Sequence, residues 1–448
     1  MSEWKKVKIG DFLTEREGRY KPNDKEISKY QRLDKIDFSG HIHISDKPTK
    51  TDMIIVFPGD LIISGINVAK GAISVYQGKE PVCATIHYSS YTFDDKKVDL
   101  DYFKYFVKSS AFIFALQQQV KGGIKTEIKP KHLLPLEISL PDLSTQKDIV
   151  KVLSKKIEKV ELIKSEIESQ KNYAKQLRQN ILQEAIEGKL TEEWRKENPV
   201  VKGNPDFDAE SLFEKIQEEK CHTDSELLRN SKKKVFESIS ENEQPFEIPE
   251  GWKWVKLEHL AEVGTGATPL TSEKKYYENG TIPWITSSST GNDFVSKADV
   301  FITEIALKET NCSLNPKGTL VVAMYGQGKT RGQITELCIE AATNQACATI
   351  RIFEKDNVVL KKYIKFVFKK MYEEIRSLAQ GGTQPNLNLG KIANTIFPLP
   401  PLAEQKEIVS RVEKLLANVT ELEKQITERE EMTKQLMQSI MKDAFREE

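Results

Sequence analysis

The chain has 448 residues, enough for two or three domains with substantial cores. Its 67 Lys and Arg balance 67 Asp and Glu, which excludes a protein that coats nucleic acid non-specifically and makes any nucleic-acid face local. No apolar run is long enough to span a bilayer, MSEWKKVKIG at the N-terminus has no apolar signal core, and the five cysteines (83, 221, 312, 338, 347) form no C-x-x-C pair. A soluble, cytoplasmic protein with reduced, structural thiols is expected.

The first 140 residues read as a mixed α/β domain. Val7 and Ile9, then MIIVF (53–57) and DLIIS (60–64), have the character of buried strands, interrupted by Pro58-Gly59. AISVY (72–76) is a second strand candidate, followed by CATIHYSSYTF (83–93). DLDYFKYFVKSSAFIFALQQQ (99–119) has helical periodicity, with Asp99 placed to cap it and Gly122-Gly123 to end it. A basic loop, KGGIKTEIKPKH (121–132), then leads to the strand PLEISL (135–140).

A long helix is expected from Thr145 to about Gly188, and the chain writes it twice. LPDLSTQKDIV (140–150) returns as LPPLAEQKEIV (399–409), and KQLRQNILQEAI (175–186) as KQLMQSIMKDAF (434–445), at a constant offset of 259 residues. Apolar residues fall at steps of three and four: Val160, Ile163, Ile167, Ala174, Leu177, Ile181 and Ala185 in the first copy. Val419, Leu422, Ile426, Thr433, Leu436, Ile440 and Ala444 occupy the same register in the second. Even the interruption repeats, since Gln170 and Arg429 both place a polar side chain where a stripe residue is due. Two unrelated amphipathic helices would not share a register over some forty residues; two such stripes most simply bury each other.

Between the copies, residues 191–244 read as a charged linker with one short helix near 209–220. The second globular part then restarts the first. GWKWVKLEHL (251–260) echoes EWKKVKIGDF (3–12), GTLVVAMYGQGKTRGQI (318–334) echoes GDLIISGINVAKGAISV (59–75), and ACATI (346–350) echoes VCATI (82–86). LKKYIKFVFKKMYEEIRSLAQGG (360–382) echoes the Asp99–Gly123 helix. The expected organisation is therefore a domain at 1–144, a helix at 145–190, the linker at 191–244, a second domain at 245–402 and a second helix at 403–448. The fold class is α+β, an internal repeat of about 200 residues, far longer than a solenoid repeat.

No catalytic constellation emerges. YGQGKT (325–330) ends like a phosphate-binding loop, but the glycine required five residues earlier is Ala323. GTGATP (264–269) lacks the third glycine of a dinucleotide fingerprint. His41 and His43 alternate along a strand with no third ligand candidate, so they read as surface histidines and no metal is expected. Several loops, by contrast, are rich in groups that hydrogen-bond DNA: Gln327, Lys329 and Arg331 in GQGKTRGQ, Gln384 and Asn386 in GGTQPNLNLGK, and Asn67, Lys70, Lys121 and Lys125 in the first repeat. Phosphates need cations, and base edges need bidentate partners such as Arg, Asn and Gln. By composition alone, solvated turns are the favoured reading of such loops.

GGTQPNLNLGKIANTIFPLPPLAEQKEIV (381–409) resembles the end of a target-recognition domain leading into a helix of the specificity subunits of type I restriction–modification systems. LRQNILQEAIEGKLTEEWRKENP (177–199) is similar to that family's central conserved region, and PFEIPEGWKWVKL (245–257) to the start of its second recognition domain. The chain departs from the pattern in having LSTQ (143–146) where the second copy has LAEQ, and in ending at Glu448 without the Gly-Lys-Leu that follows the first helix; the latter suggests only that no linker needs to follow. The resemblance implies two target-recognition domains that each read half of a split site on double-stranded DNA, on two helices paired as an antiparallel coiled coil. It implies two methyltransferase (M) subunits and restriction/translocase (R) subunits as partners, which use S-adenosylmethionine, ATP and Mg; this chain would hold no cofactor and catalyse nothing. Two alternatives stay open: a structural adaptor whose paired domains bind protein, and an enzyme that uses the GQGKT loop.

Overall fold

The computed structural model describes residues 4–37, 40–45, 47, 49–65, 72–119, 129–224, 239–326, 330–353, 358–380 and 387–445. The chain divides into two compact units, Met1–Gln170 with Gln425–Glu448 and Lys171–Lys424, so each unit takes a share of both long helices.

In unit 1, β1 (Lys5–Lys8) pairs antiparallel with β10 (Glu137–Leu140), tying the two ends of the domain together. One four-stranded sheet has the order β2 (Leu13–Glu15), β9 (Tyr88–Phe93), β6 (Leu61–Ser64), β7 (Ile73–Val75). A second has the order β4 (Ile42–Ser45), β3 (Arg32–Ile36), β8 (Val82–Thr85), β5 (Met53–Val56). Strand β6 is buried throughout because both its faces are covered. Leu61 and Ile63 join one core with Tyr102 and Phe103, while Ile62 joins another with Leu33 and Val56.

CATIHYSSYTF, left undivided by the sequence, comprises β8 and β9, separated by a turn at Ile86-His87. The 99–119 helix is two helices, α1 (Leu100–Phe106) and α2 (Ser110–Gln119). Asp99 caps α1 by accepting from Tyr102 N at 2.9 Å. The buried Ser109 then accepts from Phe112 N at 3.2 Å, giving the chain a second N-cap where one helix was expected to continue. The short α3 (Pro130–Leu133) leads into β10.

Helix α4 (Leu143–Ile186) is 44 residues long. Gly188 stops the pattern with φ +74°, and a side chain there would meet Pro249 at 2.6 Å. The segment expected as a linker is folded where it is described: α5 (Glu192–Glu197) and α6 (Ala209–Asp224) follow. The apolar face of α6, Leu212, Phe213 and Ile216, is buried, and Gln217 Nε2 donates to His259 O at 2.6 Å. A face spaced for helix packing outweighs the charged composition that suggested a linker.

Unit 2 repeats the plan. β11 (Lys253–Lys256) pairs with β20 (Ile396–Leu399) as β1 does with β10. After the short α7 (Leu257–Leu260), a five-stranded sheet has the order β12 (Ala261–Thr265), β19 (Cys347–Ile352), β16 (Leu320–Ala323), β17 (Ile334–Leu337), β14 (Phe294–Val295). A smaller sheet orders β15 (Val300–Ile302), β13 (Ile282–Ile285) and β18 (Ala342–Thr343), with α8 (Glu304–Glu309) alongside. Helices α9 (Val358–Gln380) and α10 (Leu389–Ala393) precede β20, and α11 (Leu402–Ala444) follows it.

Strand register corrects the ACATI/VCATI echo. Tyr91 faces Leu61 in β6, and Ile350 faces Leu320 in β16. Both members of the second pair lie 259 residues beyond those of the first. Cys347–Ile352 is thus the counterpart of Tyr88–Phe93, and the shared Cys-Ala-Thr of β8 is a coincidence of composition. Within the second domain the offset of 259 is broken by a two-residue insertion in the hairpin before β17: Ile63 faces Ile73, but Val322 faces Ile334.

The long helices pair antiparallel within each unit. In unit 1, Leu153 and Phe445 share a core onto which Ile149, Ile157, Ile440 and Ala444 pack. Arg429 Nη1 donates to Gln170 Oε1 at 2.8 Å. These are the two interrupting residues, 259 apart, and two antiparallel copies of one register must bring one equivalent pair face to face. In unit 2, Arg178 binds Glu423 at 2.8 Å and Arg411 Nη1 donates to Leu190 O at 2.6 Å. The buried seam is narrower than the expected stripe. Val160, Ile167, Ala174 and Ile181 are at most 7% exposed, as are Val419 and Thr433, and Ile426 is at 9%. Ile163 and Ile440 are half-buried. Leu177, Leu422 and Leu436 are corrected to exposed positions, at 43, 46 and 45%. Each helix has only one neighbour along much of its length, so one column per heptad is covered and the other lies at the margin.

Candidate nucleic-acid interface

Five segments of unit 2 meet at one end of the five-stranded sheet, and its register dictates this. Thr265, the last residue of β12, faces Ala348, while Ala323, the last of β16, faces Cys347, the first of β19. β17 begins beside the end of β16, and β14 runs parallel to β17, so the residues before Phe294 enter at the same end. The segments are 263–270, 284–292, 323–326, 330–333 and 343–347. None of these stretches contains Asp or Glu. In a chain where charge is otherwise balanced, these segments offer hydroxyls, amides and cations, and the carboxylate that follows them, Asp293, is bound to Lys369 at 2.6 Å.

Backbone and side-chain bonds hold the segments together. Ala267 N donates to Thr343 O at 3.0 Å, and Gly266 sits so close that a Cβ would lie 1.8 Å from Thr343 O. This close approach is what the GTGATP glycine serves, in place of a dinucleotide. The Thr265 hydroxyl donates to Cys347 O at 3.0 Å, and the Thr268 hydroxyl donates to Gln345 Oε1. Met324 N donates to Ala346 O at 2.8 Å, and Gly332 N to Ala323 O at 2.8 Å. Thr265, Thr268, Ser288, Tyr325 and Gln345 are exposed on this frame, whereas Asn344, Arg331 and Gln333 are partly buried. Cys347, at the base, is buried, which pushes its thiol up to about 12.

Helix α9 runs toward the same end. Lys361 approaches Glu336 at 3.4 Å, Lys365 Nζ donates to Asp293 O at 2.8 Å, and Lys369 pairs with Asp293 at 2.6 Å. Burial holds the Lys365 ammonium below the ordinary lysine range, with Asp293 and Glu336 opposing that shift. Partial burial would raise the Asp293 carboxyl, but Lys369 and Lys365 outweigh it and hold it below the usual carboxylate range. These charges are committed to fixing the helix.

Of the sequence-derived candidates, Arg331 lies in this assembly. Asn67, Lys70, Lys121, Lys125, Gln327, Lys329, Gln384 and Asn386 lie outside the described residues. Thr265, Thr268, Tyr325 and Gln345 were not singled out by sequence; the available signal was the absence of acidic residues from segments that only strand register brings together. The matching end of unit 1 is different. Glu15 and Glu17 flank it, Arg19 is bound to Asp52 at 3.0 Å, and Arg16 is bound to Asp60, before the start of β6, at 2.6 Å. His43 Nε2 lies 3.0 Å from Asp37, and among the described residues no group of His, Cys, Asp or Glu could hold a metal. No helix among them is long and apolar enough to cross a membrane.

A buried polar joint fixes the start of α11. Glu404, 2% exposed, accepts from Thr191 Oγ1 at 2.6 Å, Arg195 Nη1 at 2.5 Å and Trp252 Nε1 at 2.7 Å. One position on, Gln405 Nε2 donates to Pro400 O, as Gln146 Nε2 does to Pro141 O, both at 2.8 Å. The glutamine of LSTQ and LAEQ therefore does the same work in both copies. The Thr145/Glu404 difference follows from the neighbours: Thr145 N is held by Asp142 Oδ1 at 2.8 Å, whereas Glu404 meets the GKLTEEWR segment.

The family model described as type I restriction modification DNA specificity domain matches residues 1–170 and 249–431. The type I restriction enzyme MjaIX specificity subunit of Methanocaldococcus jannaschii is 32% identical over 171 residues, 36% of this chain and 37% of that protein. The EcoDI specificity subunit of Escherichia coli is 25% identical over 331 residues, 73% of this chain and 66% of that protein. The chain thus spans less than two thirds of the length of both relatives. A chain solved in a study of complex assembly and conformational transition of the type I R-M system shares the fold, with a TM-score of 0.62 at 14% identity, covering 99% of this chain and 98% of that one.

Proposed function

Because the chain belongs to the family of type I restriction modification DNA specificity domains, we propose that it is the non-catalytic subunit that selects the DNA target of a type I restriction–modification complex. Each unit reads one half of a bipartite site on duplex DNA, and the antiparallel helices set the gap between halves. The observation that carries this reading is the end of the five-stranded sheet, where five converging segments lack Asp and Glu and Thr268, Tyr325, Arg331 and Gln345 stand on a hydrogen-bonded frame suited to base edges and phosphates.

The helices also support two copies of one partner, the methyltransferase subunit. Tyr173 and Leu177 on α4 are 68 and 43% exposed, and their repeat counterparts Met432 and Leu436 on α11 are 58 and 45% exposed. Two equivalent apolar pairs, one in each unit, suit two identical partners better than one. S-adenosylmethionine, ATP and Mg belong to those partners and to the restriction/translocase subunits. The site of action is the cytoplasm. The test is a sequence-selective shift of duplex DNA by this chain with its methyltransferase subunit; a complex that binds all duplexes alike favours the protein-binding adaptor.

A further inference from the structure

We propose that unit 1 carries a docking groove for a single acidic amphipathic helix of a partner polypeptide. The inference rests on the reading that the long helices carry partner subunits, and adds a site that only the first repeat possesses. The groove, about 970 Å³, lies between α1–α2 and the paired parts of α4 and α11. Lys104, Lys108, Lys164 and Lys442 line it. Lys104 is bound to Asp101 at 2.6 Å and Lys164 to Glu161 at 2.7 Å, whereas Lys108 and Lys442 make no ion pair among the described residues. Lys442 is exposed; Lys108 is exposed along its stem, while its ammonium lies against Gly40, where burial and Lys104 hold it below the ordinary lysine range and Asp37 opposes that shift. Ile113, Ile157, Met437 and Met441 also line the groove, and all four are half-buried.

This combination defines the occupant. An apolar floor flanked by cations fits a helix with apolar anchors along one face and carboxylates beside them. A phosphate backbone would satisfy the lysines but would leave isoleucine and methionine facing a hydrated polyanion. Methionine side chains adapt to such an apolar face readily. The corresponding positions of the second repeat cannot do this. Met437 and Lys164 correspond to Arg178 and Glu423, which bind each other at 2.8 Å, while Met441 and Lys442 correspond to Leu182, buried at 3%, and Gln183. The groove is therefore filled once per chain, unlike the two equivalent apolar pairs.

The test uses the full-length chain and a labelled helical peptide of about twenty residues with leucines at i, i+3, i+4 and i+7 flanked by glutamates. An arginine-for-glutamate peptide and a short duplex serve as controls. Fluorescence anisotropy should show one glutamate peptide bound per chain. K108E/K442E should weaken it about ten-fold or more, and K108Q/K442Q by less, as expected for charge-complementary contacts. Because neither lysine makes an ion pair among the described residues, the variants should keep the wild-type circular dichroism and the sequence-selective DNA shift, and the single K442E, at the exposed position, should by itself weaken peptide binding. The proposal is overturned if wild type does not bind the peptide, if the reversal leaves affinity unchanged, if the arginine peptide binds equally, or if the duplex competes and loses affinity in K108E/K442E. Failure of the specificity-subunit reading would show separately, as a wild-type chain with no sequence-selective DNA shift.

Discussion

Replacing Glu404 with alanine should loosen unit 2 at one defined joint. The carboxylate accepts three hydrogen bonds at 2.5–2.7 Å while almost fully buried. Its removal strands the Trp252 indole N–H, at about 1–3 kcal/mol for an unsatisfied buried donor. The Thr191 hydroxyl retains Gly188 O at 3.4 Å, and the Arg195 side chain, 21% exposed beside an open pocket of about 460 Å³, can turn to water. Breaking a fully buried pair would cost about 3–5 kcal/mol, so these escape routes place the total near the lower end, about 3 kcal/mol. Since a chain of two units need not unfold in one step, the assay is amide hydrogen exchange by mass spectrometry. Residues 189–195 and 252–254 should exchange about a hundred-fold faster, each factor of ten corresponding to about 1.4 kcal/mol. The E404Q variant, keeping one acceptor oxygen, should fall between. Exchange within a factor of three of wild type in E404A would refute the view that this carboxylate holds the joint.

Four residues inserted after both Gln170 and Arg429 lengthen each helix by about 6 Å. The gap between half-sites should then grow by one or at most about two base pairs, with both half-site sequences intact; methylation mapping would expose altered half-sites if the helices read sequence. Replacing Tyr325 or Gln345 with alanine should cost about 1–3 kcal/mol of discrimination in one half-site only, read from binding to a panel of duplexes; equal effects in both halves would contradict the assignment. His259 is buried, and desolvation holds its imidazole below the ordinary histidine range despite Glu258. Its unfolded form gains the proton first, so unit 2 should be most stable above about pH 6.5 and weaken as pH falls below that value. Urea midpoints between pH 5 and 8 should show this limb in wild type and not in H259Q.

Much of this was legible because the chain states its plan twice. The repeated glutamine of LSTQ and LAEQ, the shared interruption at Gln170 and Arg429, and the Asp99 cap each became a specific bond. What misled was local likeness. Cys83-Ala84-Thr85 resembles Cys347-Ala348-Thr349, but long-range pairing assigns Cys347–Ile352 to the place of Tyr88–Phe93. Charge made 191–244 resemble a linker; the one helix expected in it, near 209–220, is α6, but its Leu212 and Ile216 are fully buried. Leucine at heptad spacing did not ensure burial at 177, 422 and 436, since seam width depends on how many neighbours a helix has. The candidate interface was least visible: Thr268 and Gln345 are 77 residues apart, and only strand register unites them.

The central claim is that this chain selects a bipartite DNA target. Mapping methylated adenines across the native host genome, with and without this gene, tests it most directly. The account predicts that one motif loses its methylation when the gene is removed, and that this motif is two short sequences separated by a fixed non-specific gap. An unchanged methylation map, or loss confined to a continuous motif without a gap, would contradict it.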